Sequence, residues 1–220
     1  MKFDAILFDC DGVLVDSESL TNAVLRDMLQ ESGWTLTADE CMARFVGKTL
    51  REERLTIEAH TGKPFTQAWF DDFCERRNAT LRASLEIVPG AYEAAAAAQA
   101  YASLGIACAS GADRFKVEMA LTKVGLMPFF EGRIFSGHEM PRSKPAPDVY
   151  LAAARHLNAS PKRCLVIEDS VAGITAGVAA GATVWAYCPG TTHQSAHELR
   201  QAGAQVLLSH MADLPGLLNA

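Results

Sequence analysis

The sequence predicts an α/β protein: a parallel sheet core flanked by helices, with an all-helical insertion after the first strand. Three observations carry this. Short apolar runs alternate with helical patterns beyond residue 100, the sign of a parallel sheet covered on both faces. One more such run opens the chain at residues 3–8. Between them, residues 18–86 carry successive helical patterns and no strand-like run.

The elements follow in order. Residues 3–8 (FDAILF) are apolar and meet acidic residues and Gly12, as a buried strand running into a polar loop does. Leu20, Val24, Leu25, Met28 and Leu29 mark an amphipathic helix ending near Gly33. Thr37 can cap a second helix that reaches Gly47. Thr49, with Glu52 three residues later, has the form of a capping box for a third. Thr66 can cap a fourth, carrying Trp69, Phe70 and Phe73. Strand-like runs resume at 105–110 (GIACAS), 133–137 (RIFSG), 164–169 (CLVIED), 182–187 (ATVWAY) and 205–209 (QVLLS). Helical patterns separate them. One covers 91–104 and ends at Gly105, one covers 114–124 and stops at Gly125, and one covers 148–157 after two prolines. The alanines 94–98 predict a helix packed closely on the sheet. Gly173, Gly177 and Gly181, four apart, are expected to share one helix face and permit close packing rather than to form a phosphate loop. The domains expected are a Rossmann-like core over residues 1–16 and 87–220 and a helical domain over 17–86.

Composition narrows the class. At 220 residues the chain suits one domain plus an insertion, or two small domains. Hydrophobic residues make up 49% and charged residues 21%, enough for a sizeable core. The net charge is −6 and no basic run tracks a polyanion, so nucleic acid is not an expected partner. No apolar stretch approaches the ~20 residues of a membrane helix, and Met1-Lys2-Phe3-Asp4 does not open a signal pattern. A soluble cytoplasmic protein is expected, as a monomer or weak homo-oligomer. The six cysteines are scattered without a C-x-x-C pair, which predicts reduced, mostly buried thiols. His138, His193 and His197 fall in expected loops and read as surface residues rather than a second metal site.

In open parallel sheets, ligands bind beyond the carboxyl ends of the strands. Asp9, Cys10, Asp11 and Gly12 follow the first strand, and Ser110 and Gly111 end the second. Lys144-Pro145 follows the third, and the fourth ends in Glu168 and Asp169. Carboxylates from two loops can hold a hard cation such as Mg²⁺. A carboxylate is also a nucleophile toward phosphorus, giving an acyl phosphate. Four carboxylates would repel a phosphate dianion unless Mg²⁺ and an ammonium group, Lys144, offset them. The Ser110 hydroxyl and nearby N–H groups can bind phosphoryl oxygens. Asp11 can protonate the leaving oxygen and later take a proton from water. Taken singly, each residue has an ordinary alternative: a turn at Asp9–Gly12, a helix cap at Ser110, a solvated charge at Lys144, helix N-terminal acids at Glu168 and Asp169. Four strand ends carrying complementary parts favour the chemical reading.

DCDGVLVDSE (9–18), ASG (109–111), SKPAPDVY (143–150) and IEDSVAGITAG (167–177) resemble the four motifs of the haloacid dehalogenase superfamily. GLMPFFEGRIFSG (125–137) is similar to the stretch before the third motif. The match is to the branch of small phosphatases and beta-phosphoglucomutase-like proteins. The resemblance implies that Asp9 is the nucleophile and a metal ligand. It implies that Asp11 is the general acid/base, with its backbone carbonyl on Mg²⁺. Asp169 is then a metal ligand with Glu168 beside it, Ser110, Gly111 and Lys144 bind the phosphoryl group, and a helical cap closes over the substrate. Gly111-Ala112 departs from relatives that often carry a further polar side chain, which leaves more of the phosphate contact to backbone N–H groups.

The activity implied is a Mg²⁺-dependent phosphatase acting through an aspartyl-phosphate on a small phosphorylated metabolite, a sugar phosphate or phosphorylated sugar acid. A sugar-phosphate mutase is the alternative, although Ser17–Thr21 lacks the histidine that such enzymes carry there. A dehalogenase would leave Asp11 without a task. A non-catalytic phospho-accepting or binding protein is the alternative of another class, but a receiver domain has no helical insertion after its first strand. In the cap segment 44–51, Lys48 and Arg51 are expected to face the site and contact hydroxyls or a second anion. A solvated positive face is the equal alternative.

Overall fold

The computed structural model describes residues 2–46, 48–190 and 194–220. Two compact units emerge, residues 17–85 and the remainder, 1–16 with 86–220. In chain order, β1 (Ala5–Phe8) and β2 (Val15–Asp16) lead into α1 (Glu18–Glu31), α2 (Ala38–Phe45), α3 (Arg54–Thr61) and α4 (Gln67–Ser84). The chain returns as β3 (Glu86–Ile87), α5 (Ala91–Tyr101), β4 (Ile106–Ser110), α6 (Arg114–Lys123), α7 (Met127–Phe130) and β5 (Ile134–Ser136). It closes with α8 (Asp148–His156), β6 (Cys164–Glu168), α9 (Val171–Ala179), β7 (Thr183–Tyr187), α10 (Ala196–Ala202), β8 (Val206–Leu208) and α11 (Leu214–Leu218).

The main sheet runs β5-β4-β1-β6-β7-β8, with every pairing parallel. β1 lies between β4 and β6, with Phe8 opposite both Cys108 and Ile167. The carboxyl ends of these three strands therefore share one rim. Every residue of β1, β4 and β6 is buried. Helices cover both faces of such a sheet, which is why these strands read as unbroken apolar runs rather than alternating ones. Ala91, Ala94, Ala95 and Ala98 of α5 are fully buried, as the alanine run predicts.

Close approach also governs α9. A Cβ at Gly177 would lie 2.8 Å from Val184 Cγ2, so the helix seats on β7 through that glycine. Gly181 does not share this face. The helix stops at Ala179, and Gly181 turns the chain with φ +86° and open space around its Cβ position.

β2 and β3 form an antiparallel ribbon, Val15 opposite Ile87 and Asp16 opposite Glu86. Two-residue strands are too short to show a period, and sequence reading passes over both.

The helical unit packs Leu25, Met28, Leu29, Trp34, Cys41, Phe45, Ile57 and Phe73 together. Thr37 closes a capping box with Glu40 ahead of α2, and Thr66 accepts from Trp69 N ahead of α4. The expected Thr49–Glu52 box does not form. α3 begins only at Arg54, with Glu53 at its N-cap and no side chain closing it. Glu52 N and Glu53 N donate instead to the Thr49 carbonyl in a turn. α2 ends at Phe45, and Gly47 lies outside the described residues.

None of the six cysteines forms a disulfide, and four of them are buried. His138 is exposed in a short 3-10 turn (Gly137–Glu139). His197 is exposed on α10 rather than in a loop, because Ser195 and Glu198 form a capping box that starts a helix there. His193 lies outside the described residues. Among the described residues, no helix is long and apolar enough to cross a membrane.

Candidate active site

Asp9 is the first residue beyond β1. Its N–H donates to the Ile167 carbonyl at 2.9 Å, which ties it to β6. The following turn closes on itself: Leu14 N and Val15 N donate to the Cys10 carbonyl at 2.9 and 3.1 Å, and Gly12 N to the Val15 carbonyl at 2.9 Å. Gly12 holds φ +74°, and a side chain there would overlap the Asp169 carboxylate. Glycine meets both demands.

Lys144 reaches the same place from the segment after β5. Its Nζ donates to Asp9 Oδ1 and to Glu168 Oε1, both at 2.7 Å. The Lys144 side chain is only 8% exposed, so the solvated-charge alternative fails for this residue. The ammonium also lies 4.8 Å from the centre of the Tyr150 ring. The Lys144-Pro145 peptide is cis.

Glu168 is fully buried and takes donors on both oxygens. Lys144 and the Tyr150 hydroxyl, at 2.7 and 2.9 Å, donate to Oε1. Asp169 N, Ser170 N and the Ser170 hydroxyl donate to Oε2, each at 2.9 Å. Ser170 in turn caps α9 by accepting from Gly173 N at 3.0 Å. A side chain at Gly173 would overlap the Glu168 carboxylate, so that glycine makes room for it. Burial alone would raise the pKa of Glu168. The Lys144 charge and the Ser170 hydrogen bonds outweigh burial and hold it below the usual carboxylate range.

Asp9 responds in the opposite direction. Burial, with the nearby Glu168 and Asp11 charges, pushes it up to about 7 against the pull of Lys144. Lys144 is held well above its ordinary value, because Asp9 and Glu168 outweigh its desolvation. The site thus carries more buried negative charge than one ammonium satisfies. Asp9, Glu168 and Asp169 each bring a carboxylate oxygen within 4.8 Å of the others. Oxygen donors and surplus negative charge from three neighbouring carboxylates fit a hard divalent cation.

Ser110 ends β4, almost wholly buried, and its hydroxyl accepts from Ala112 N at 3.1 Å. It does not cap the next helix: Asp113 does, accepting from Lys116 N at 2.9 Å. Gly111 follows it beside Ser143, with ordinary space at its Cβ position. The Asp11 carboxylate stands apart from the acidic trio and accepts from Lys116 Nζ at 2.8 Å. Lys48 and Arg51 belong to the helical unit and are engaged within it. Lys48 pairs with Glu53 at 3.0 Å. Arg51 donates to Gln67 Oε1 at 3.0 Å and stacks 4.2 Å above the Phe70 ring.

Sequence reading missed Lys116, Tyr150 and Ser170 as parts of this network, and Gly12 and Gly173 as its spacers. Ser170 had a findable signal, a serine opening a helix directly after two strand-end acids. Lys116 had none, because it reads as one more helix lysine.

The profile of haloacid dehalogenase-like hydrolases matches residues 3–181. The chain is 31% identical to 6-phosphogluconate phosphatase of Escherichia coli (strain K12) over 188 residues, 85% of this chain and 83% of that one. It is 30% identical to hexitol phosphatase B of the same strain over 180 residues, 80% and 79% of the two chains. A haloacid dehalogenase-like protein of unknown function from Agrobacterium tumefaciens str. C58 superimposes with a TM-score of 0.84 at 34% identity. That match covers 99% of this chain and 98% of the other.

Proposed function

The chain belongs to the haloacid dehalogenase-like hydrolases, and from that premise we propose a Mg²⁺-dependent phosphatase acting on a small phosphorylated metabolite, a sugar phosphate or phosphorylated sugar acid. One observation carries the reading: a buried ammonium, Lys144, bridges Asp9 and Glu168 where Asp169 completes an acidic trio. Such a site offers a nucleophile and a place for an anion together. The likeness to phosphatases of 6-phosphogluconate and of hexitol phosphates supports the substrate class.

Asp9, Asp169 and the backbone carbonyl of Asp11 would hold Mg²⁺, with Glu168 adding charge and orienting Lys144. The cation supplies charge neutralisation for the phosphoryl group when bound. In the first step a carboxylate oxygen of Asp9 forms a bond to phosphorus as the bond to the leaving oxygen breaks. Asp11 gives that oxygen a proton. Lys144, the Ser110 hydroxyl and the N–H groups around Gly111 bind the phosphoryl oxygens. In the second step water attacks phosphorus and yields its proton to Asp11. Asp9 leaves as a carboxylate, and inorganic phosphate forms. Lys48 and Arg51 are proposed to select the substrate, acting on KM.

Phosphate release from a panel of sugar, sugar-acid and hexitol phosphates tests the reading. The expected result is one such ester hydrolysed at kcat/KM of ~10⁴ M⁻¹s⁻¹ or more, with activity lost in EDTA and restored by Mg²⁺. No phosphate release from any ester, or full activity after chelation, overturns it. Isomerisation of a sugar phosphate outrunning phosphate release, given a trace of sugar bisphosphate, would favour the mutase.

A further inference from the structure

Lys116 lies on the core-facing side of α6, with Val117, Ala120 and Leu121 buried beside it. An ammonium in such a place is strongly unfavourable unless paired. Its Nζ donates to Asp11 Oδ1 at 2.8 Å, and the two side chains are 9% and 25% exposed. The lysine is thus the anchored end, and the carboxylate is the end nearer solvent. Both backbones are fixed independently. Asp113 pins the start of α6 through Lys116 N, and the Cys10–Val15 turn pins Asp11.

We propose that Lys116 is a positioning residue: it holds the Asp11 carboxylate in the orientation from which Asp11 exchanges protons with the leaving oxygen and with water. The proposal rests on the phosphatase reading above. An aspartate side chain turns about two torsions, and an acid that is present but misaimed loses its contribution to proton transfer. A purely structural role would need only the aliphatic stem, which packs with the apolar face of α6. Methionine keeps that stem and removes the charge.

Leaving groups separate the two roles. kcat/KM covers the steps up to departure of the alcohol. p-Nitrophenolate departs without a proton, whereas the more basic phenolate needs one. Wild type, K116M, K116Q, K116R and D11N are therefore compared on p-nitrophenyl phosphate and phenyl phosphate. Loss of the lysine charge should lower kcat/KM on phenyl phosphate by ~30-fold and on p-nitrophenyl phosphate by no more than ~3-fold. K116R should restore the wild-type ratio between the esters, and D11N should show the same selective loss more strongly. Equal losses on both esters for K116M and K116Q, with D11N still selective, would reduce Lys116 to a structural residue and overturn the proposal. Equal losses for D11N would remove Asp11 as the acid, a failure of the parent reading that the D11N arm identifies by itself. Should K116M fail to fold, K116Q against K116R makes the same comparison.

Discussion

The rim of the sheet and the surface of the helical unit use charge in opposite ways. At the rim of the sheet, ion pairs are buried: the side chains of Lys144 and Glu168 are 8% and 0% exposed, and Lys116 meets Asp11 behind the same rim. In the helical unit the pairs are open to water. Arg76, with a side chain 43% exposed, reaches both Glu31 and Asp72. A buried pair cannot lose one partner without stranding the other, whereas an exposed pair lets water take its place. The rim is therefore fixed residue by residue. The surface of the helical unit tolerates exchange, which suits the part of a hydrolase proposed to discriminate among substrates.

Four predictions sharpen or break that contrast, from the largest effect downward. Asp9→Asn should cut kcat on p-nitrophenyl phosphate by ~10⁴-fold or more while the protein still unfolds cooperatively. Normal turnover would end the assignment of the nucleophile. Lys144→Met should cost about 3–5 kcal/mol in urea unfolding, because Asp9 and Glu168 lose their shared cation. Arg76→Met, the same chemical change in the helical unit, should leave the midpoint unmoved. Similar shifts for the two would erase the distinction between the rim and the helical surface. Gly173→Ala should cost about 1–3 kcal/mol, since its methyl would overlap the Glu168 carboxylate, and should weaken phosphate binding. Thr37→Ala should cost about 1 kcal/mol by opening the α2 capping box. Thr49→Ala should stay within about 0.5 kcal/mol, although its sequence context has the same form.

What could be read from the chain follows the same division. The sheet was legible because strands buried on both faces are continuous apolar runs, and because Asp9, Ser110 and Glu168 stand where those runs stop. Lys144 was legible only in combination, since a lysine beside a proline says nothing about burial. The partners of the site residues were not legible. Whether Lys116 faces the core or the solvent depends on the rotation of α6, and the hydroxyl of Tyr150 reaches Glu168 only once α8 is docked. In the helical unit, the Thr49–Glu52 pattern misled because a local turn competes for the same backbone. The ribbon of β2 and β3 escaped because two residues carry no periodicity.

That ribbon has an architectural consequence. Its paired ends, Val15 with Ile87 and Asp16 with Glu86, bring residues 16 and 86 to neighbouring points, about 5 Å apart as antiparallel partners are. Residues 17–85 are thus a cassette plugged into a hairpin. A two-residue turn from Asp16 to Glu86 would close the remaining chain without disturbing the sheet. Doubling the length of such a cassette adds only about 0.6 kcal/mol of closure entropy. A helical unit of another size can therefore join the same two strand ends while the residues of the rim keep their places.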